Sequence, residues 1–304
     1  FMRPIAEAYK DFPILHKEHN GHRVIYLDSG ATAQIPQSVI DRVVEHMTQR
    51  NGNPHRGSHI LAIEASEDYE NARDRVVEFI NAREREEVIF TRNSTESMNL
   101  IAHSYGLHNV KKGDKIVITV AEHHANLVTW QYVAEQTGAT LEYMYLDEHG
   151  HLKDGEINKI DEKTKIVAFA HVSNVLGMEF PVKELTEKAH SVGAIVVLDG
   201  AQSTPHKKID VQALDCDFFV FSGHKMCASQ GIGVLYGKRD LLETMPPFLL
   251  GGDMIEYVKE QTATFNELPY KFEAGTPNAD GAVSLHAAID YLESFGMDAI
   301  EAYE

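Results

Sequence analysis

Residues 194–203 read Ala-Ile-Val-Val-Leu-Asp-Gly-Ala-Gln-Ser. An apolar run of this length with no polar break fits a strand buried on both faces, as in the middle of a parallel sheet. Asp199 follows it directly, so its carboxylate is drawn into partial burial, which costs free energy unless a cation or hydrogen bonds compensate. A protonated ring nitrogen would serve. Capping the next helix is the plainer role for the same residue.

Working outward, residues 165–170 give a second run of this kind, and further β-rich runs lie at 87–91, 115–120, 140–146, 217–222 and 231–236. Between most of them, apolar residues recur at i, i+3, i+4 spacing over 58–82, 95–105, 125–137 and 182–192. The alternation predicts an α/β fold: a three-layer α/β/α arrangement around a mostly parallel, seven-stranded central sheet. The first 30 residues and the stretch from about Met245 break the alternation at Pro246-Pro247, Gly251-Gly252 and Pro269. A further helix is expected over 278–294. The expected division is an N-terminal segment (1–20), a large domain (21–260), and a connection with the start of a second domain (261–304) that reads as cut in mid-helix. Phe1, ahead of Met2, reads as an added residue and is set aside.

Composition sets outer limits. Of the 304 residues, 43% are hydrophobic and 24% charged, as in an ordinary globular chain. A formal charge of −18 opposes nonspecific attraction to nucleic acid or to an anionic membrane. Two cysteines, Cys216 and Cys227, form no disulfide framework, and no apolar run is long enough to span a bilayer, so a cytoplasmic protein is expected.

In open α/β sheets ligands bind outside the carboxyl ends of the strands, and those ends are polar here. After 87–91 comes Arg92-Asn93-Ser94-Thr95-Glu96, a turn that either caps a helix or receives a phosphate on its free N–H groups and hydroxyls. After 115–120 comes Glu122-His123-His124-Ala125-Asn126; one imidazole can stack on a flat ring. Adjacent histidines do not easily reach one ion and no HExxH or CxxC accompanies them, so no metal is expected. Ser173-Asn174 follows 165–172, and Gln202 follows Asp199. Gly223-His224-Lys225 follows 217–222 and brings an amine to the same rim; a desolvated lysine suits Schiff-base chemistry. Phosphate cradle, stacking ring, acid and lysine together describe one ligand, pyridoxal 5′-phosphate.

His55-Arg56-Gly57, Thr95-Glu96, 122–126, Asp199-Gly200-Ala201-Gln202, Ser222-Gly223-His224-Lys225 and 272–278 resemble, in order and spacing, the Suf-type cysteine desulfurases. These are class V aminotransferase-type enzymes of the fold-type I pyridoxal-phosphate group, and the resemblance runs over nearly the whole chain. It implies that Lys225 holds the cofactor covalently and moves protons, that Asp199 keeps its ring nitrogen protonated, and that His123 stacks on the ring. It further implies that Asn174 and Gln202 bond the phenolic oxygen side, that Ser94, Thr95, Ser222 and His224 hold the phosphate, and that Thr276 reaches the phosphate of a second subunit in a homodimer. His55 and Arg56 are expected on the substrate side. The implied reaction takes sulfur from L-cysteine, leaves L-alanine, and passes a persulfide to a Suf-type carrier for iron–sulfur cluster assembly. The persulfide cysteine and the carboxylate-binding arginine of the family are expected beyond residue 304. Cys227 and Cys216 read as packing residues. The pattern departs at Ala228-Ser229-Gln230, where Gly-Pro is usual, and over Asp28–Ala33. A selenocysteine lyase or other class V enzyme, and a partner protein without turnover, are the alternatives.

Overall fold

A computed structural model describes residues 2–304; Phe1 lies outside the described residues. Seven strands form the central sheet: β1 (Val88–Thr91), β2 (Lys115–Thr119), β3 (Thr140–Met144), β4 (Thr164–Ala170), β5 (Ile195–Asp199), β6 (Phe218–Ser222) and β7 (Gly233–Gly237). Their spatial order is β1-β7-β6-β5-β4-β2-β3. β7 runs against both its neighbours, so the other six share one direction and one carboxyl rim.

The long helices are α1 (Gln37–Gln49), α2 (Ile60–Ile80), α3 (Ser94–Ile101), α4 (Val128–Thr137), α5 (Val182–Ser191), α6 (Ala279–Phe295) and α7 (Met297–Tyr303). Side chains of successive strand residues alternate between two cores. Val196, Leu198, Phe219 and Phe221 pack with α2, α5 and α6, while Ile195, Val197, Phe218 and Val220 pack with α3 and α4. These two cores separate three layers. Among the described residues no helix is long and apolar enough to cross a membrane.

The expected strands and all five expected helices appear with shifted ends. The helix expected at 95–105 gives way to a π turn over Ala102–Gly106, and that expected at 125–137 opens with a 3-10 turn at His124–Asn126. Helix α1 was not anticipated. It begins directly after Pro36 and is held from outside, because its Arg42 and His46, and Arg50 just past its end, converge on the buried Asp68 of α2.

Two devices fix the rim. Gly200 follows the β5 carboxylate, and a Cβ there would lie 2.0 Å from Cζ of the fully buried Phe219 on the next strand. At β7, a Cβ on Gly233 would lie 2.6 Å from Cα of Asn93, so the sheet packs directly beneath the turn that opens α3. A second tie spans the layers. The Arg73 guanidinium of α2, fully buried, donates to both oxygens of Glu273 at 2.7 Å and to the Val88 carbonyl at 2.7 Å. Glu273 also accepts from Tyr69 and from the Phe90 N–H. Helix, edge strand and the 270s loop thus meet on one ion pair.

Breaking a buried pair strands its partner, so Glu273→Gln should cost roughly 3–5 kcal/mol in urea unfolding; an unchanged midpoint would count against this tie. Gly200→Ala should cost roughly 1–3 kcal/mol by overpacking. Phe219→Leu in the same chain should return part of that loss; if it does not, the clash is not the cause.

Candidate functional site

The shared carboxyl rim opens on a cleft of about 590 Å³, within the range for small-ligand sites. Asp199 ends β5 in this cleft. Only 8% of it is exposed, and one oxygen accepts from the Ala201 N–H at 3.0 Å. Among the described residues no other hydrogen-bond donor reaches the carboxylate. Burial pushes the carboxyl above its ordinary range, against the pull of the Ala201 amide and of the charges on His123 and Lys225. A cationic N–H in the cleft would relieve it.

Lys225 sits three residues past the end of β6, in the 3-10 turn Gly223–Lys225. Burial lowers the basicity of its amine, and the facing Asp199 charge opposes that shift. The amine lines the cleft without a hydrogen-bond partner among the described residues. An amine of lowered basicity, close to a carboxylate yet free of it, is available as a nucleophile.

His123 lines the same cleft at the head of the turn after β2. Its Nδ1 accepts from the Ala125 N–H at 3.1 Å, which leaves the Nε2 side as the proton-bearing one. Burial lowers its affinity for a proton, with Asp199 opposing and Lys225 and His124 assisting, so a neutral ring borders the cleft.

The opposite end is built from donors. Asn93 caps α3 by accepting from the Glu96 N–H at 2.9 Å. The Ser94 N–H and hydroxyl each lie 2.8 Å from Oγ of Ser222, joining the α3 turn to the end of β6. Thr95 lines the cleft with no hydrogen-bond partner for its hydroxyl among the described residues. Donors at a helix start suit an anion.

Asn174 and Gln202 border the same cleft, and the Gln202 amide donates to the Gly30 carbonyl at 3.0 Å. His224 is tied to Thr32, whose hydroxyl contacts the His224 carbonyl and Nδ1 at 3.1 Å each. Thr32 and Gly30 were missed in the sequence. They sit in the Asp28–Ala33 stretch, noted only as a departure from the family pattern, and their contacts with the rim span 172 to 192 residues of chain.

Three expected residues stand elsewhere. His55 and Arg56 line a separate cleft of about 430 Å³ with Tyr270. There His55 pairs with Glu70 at 2.9 Å and Arg56 with Asp253 at 2.6 Å. Thr276 faces Asn53 at 3.5 Å and is not part of the Lys225 cleft. One chain therefore divides the expected set between two surfaces.

Neither cysteine is poised to react. Burial raises the Cys216 thiol far above its ordinary value and pushes Cys227 up to about 12, so both stay protonated. Among the described residues, no group of three or more His, Cys, Asp or Glu is placed to hold a metal ion.

The model of the family described as aminotransferase class-V matches residues 25–304. A probable cysteine desulfurase of Halalkalibacterium halodurans is 54% identical over 299 residues, covering 98% of this chain and 74% of that protein. A cysteine desulfurase of Haloferax volcanii is 49% identical over 309 residues, covering 97% of this chain and 72% of that protein. Among solved structures, the apo cysteine desulfurase of Thermococcus onnurineus NA1 superposes with a TM-score of 0.93 at 41% identity, covering 99% of this chain and 74% of that one. A cleft built on an amine, a buried acid and a donor-rich helix start, in a chain so matched from end to end, leads to one assignment: the chain belongs to the aminotransferase class-V family.

Proposed function

We propose that this chain carries the cofactor site of a pyridoxal-5′-phosphate-dependent cysteine desulfurase. The observation that carries the reading is the buried Asp199 carboxylate facing the unpaired Lys225 amine across one cleft. The cleft residues fit the group on their own chemistry. Asp199 lacks a cation, Thr95 lacks an acceptor for its hydroxyl, and Lys225 lacks a partner; a pyridinium, a phosphate and an aldehyde answer these in turn.

When bound, pyridoxal phosphate supplies an electron sink for bonds to the substrate's α-carbon. Lys225 would hold the group covalently and would be the amine that moves protons within the cleft. Asp199 would keep the proton on the ring nitrogen. His123 would stack against the ring. Ser94, Thr95, Ser222 and His224 would bind the phosphate, and Asn174 and Gln202 would orient the phenolic oxygen side.

The reaction converts L-cysteine to L-alanine as an enzyme thiol takes the sulfur to become a persulfide, which balances atoms and electrons. Neither Cys216 nor Cys227 is assigned that thiol, since burial keeps both protonated. In this reading the sulfur goes on to a Suf-type carrier for iron–sulfur cluster assembly in the cytoplasm. Within 261–304, expected to lead into a second domain, α6 packs into the core of the large domain with α2 and α5, so any second domain starts after α6. His55, Arg56 and Thr276, set apart from the Lys225 cleft, serve the site of a second subunit in a homodimer.

Addition of pyridoxal phosphate to the purified chain, followed by borohydride reduction and peptide mass analysis, should place the covalent adduct on Lys225. An adduct on another lysine, or none, would sink the reading. Asp199→Asn, which removes the charge and keeps the shape, should weaken cofactor binding by about 1.5–3 kcal/mol in a titration; unchanged binding would remove Asp199 from its role.

A further inference from the structure

Glu122 directly precedes His123 and belongs to none of the roles above. It is only 7% exposed, and the residues that hold it, Thr119, Asn126 and Trp130, are fully buried. The Thr119 hydroxyl contacts one carboxyl oxygen and also accepts from the Ala121 N–H at 3.1 Å. The Asn126 amide donates to the other oxygen at 3.0 Å, and the Asn126 carbonyl oxygen accepts from the Trp130 indole N–H at 2.7 Å. A chain of hydrogen bonds therefore runs from the end of β2, through both sides of the His123 turn, into α4.

We propose that Glu122 is a positioning residue: through the Thr119–Glu122–Asn126–Trp130 chain it holds His123 over the cleft, and it stays uncharged, adding no second buried anion beside Asp199. Placing two carboxylates in one buried region is costly, and only Asp199 opens on the cleft where a cation can meet it. The remaining groups around Glu122 are uncharged: Thr119 on β2, Asn126 in the turn and the Ala170 backbone on β4. Burial is the largest influence and pushes the carboxyl up to about 8; Asp199 adds to it, and the hydrogen bonds from Thr119 and Asn126 oppose it.

This inference rests on the cofactor reading for the role of His123, but its protonation part stands without it. The sign of the linkage is definite. An unfolded Glu122 ionises near 4.5 and the folded one near about 8, so the chain loses native stability as pH rises between those values. Glu122→Gln cannot ionise and escapes that loss. Its thermal midpoint should match that of the unaltered chain at about pH 5 and exceed it by about 5 °C at about pH 8. A gap that does not grow with pH, or that favours Glu122, would mean an ionised carboxylate and overturn the proposal.

The positioning part is read on bound pyridoxal phosphate. Glu122→Ala should weaken its binding about tenfold and alter its visible circular dichroism, and Glu122→Gln should restore most of both. Should Glu122→Ala fail to fold, the isosteric Thr119→Val removes one end of the hold and should shift the same signals in the same direction. Unaltered binding and dichroism in these variants would end the positioning role. If the unaltered chain binds no pyridoxal phosphate, the functional reading fails, while the pH dependence of the stability gap still decides the charge on Glu122.

Discussion

The site depends on the cost of keeping the Asp199 carboxylate out of water. Four buried apolar residues of β5 deliver it to a rim where a single backbone N–H reaches it, and burial holds it above the usual carboxylate range. An acid in this state favours any cation that enters the cleft. The facing amine of Lys225 lowers the cost without removing it, since that amine has itself lost basicity to burial. Affinity for a cation is thus a property of the strand end itself.

Holding that strand end still is the task of the packing around it. The absence of a Cβ at Gly200 lets the Phe219 ring close beneath the turn, and the absence of one at Gly233 seats the Asn93–Ser94 turn on β7. Arg73 and Glu273 perform the same service for the edge of the sheet, where they join α2, β1 and the 270s loop. Such a buried ion pair is tolerated because each of its charges makes several hydrogen bonds. The 272–278 motif is accordingly largely architectural: Glu273 anchors Arg73, and Asn278 caps α6 while its amide holds the Gly231 carbonyl at 2.9 Å.

Much of this was legible along the chain. Continuous apolar runs marked β4 and β5, polar residues marked the strand ends, and Lys225, Asp199, His123, Ser94 and Ser222 each stand within a few residues of such an end. Helix α1 was not legible, because half of what holds it is the Asp68 carboxylate of another helix. The reversed direction of β7 was hidden as well, since a buried strand has the same apolar pattern whichever way it runs. Arg73 carried a weak signal, a lone cation on the buried side of α2 one turn after Tyr69, but its partner lies two hundred residues away.

Local sequence determined the elements and the chemical character of each strand end, because burial and backbone preference act over a few residues. Only the tertiary structure decided which ends meet, that His55, Arg56 and Thr276 stand apart from Lys225, and that Glu122 shares its buried surroundings with Asp199. Those outcomes depend on strand order and on the low dielectric of the assembled interior, and neither exists until distant segments pack together.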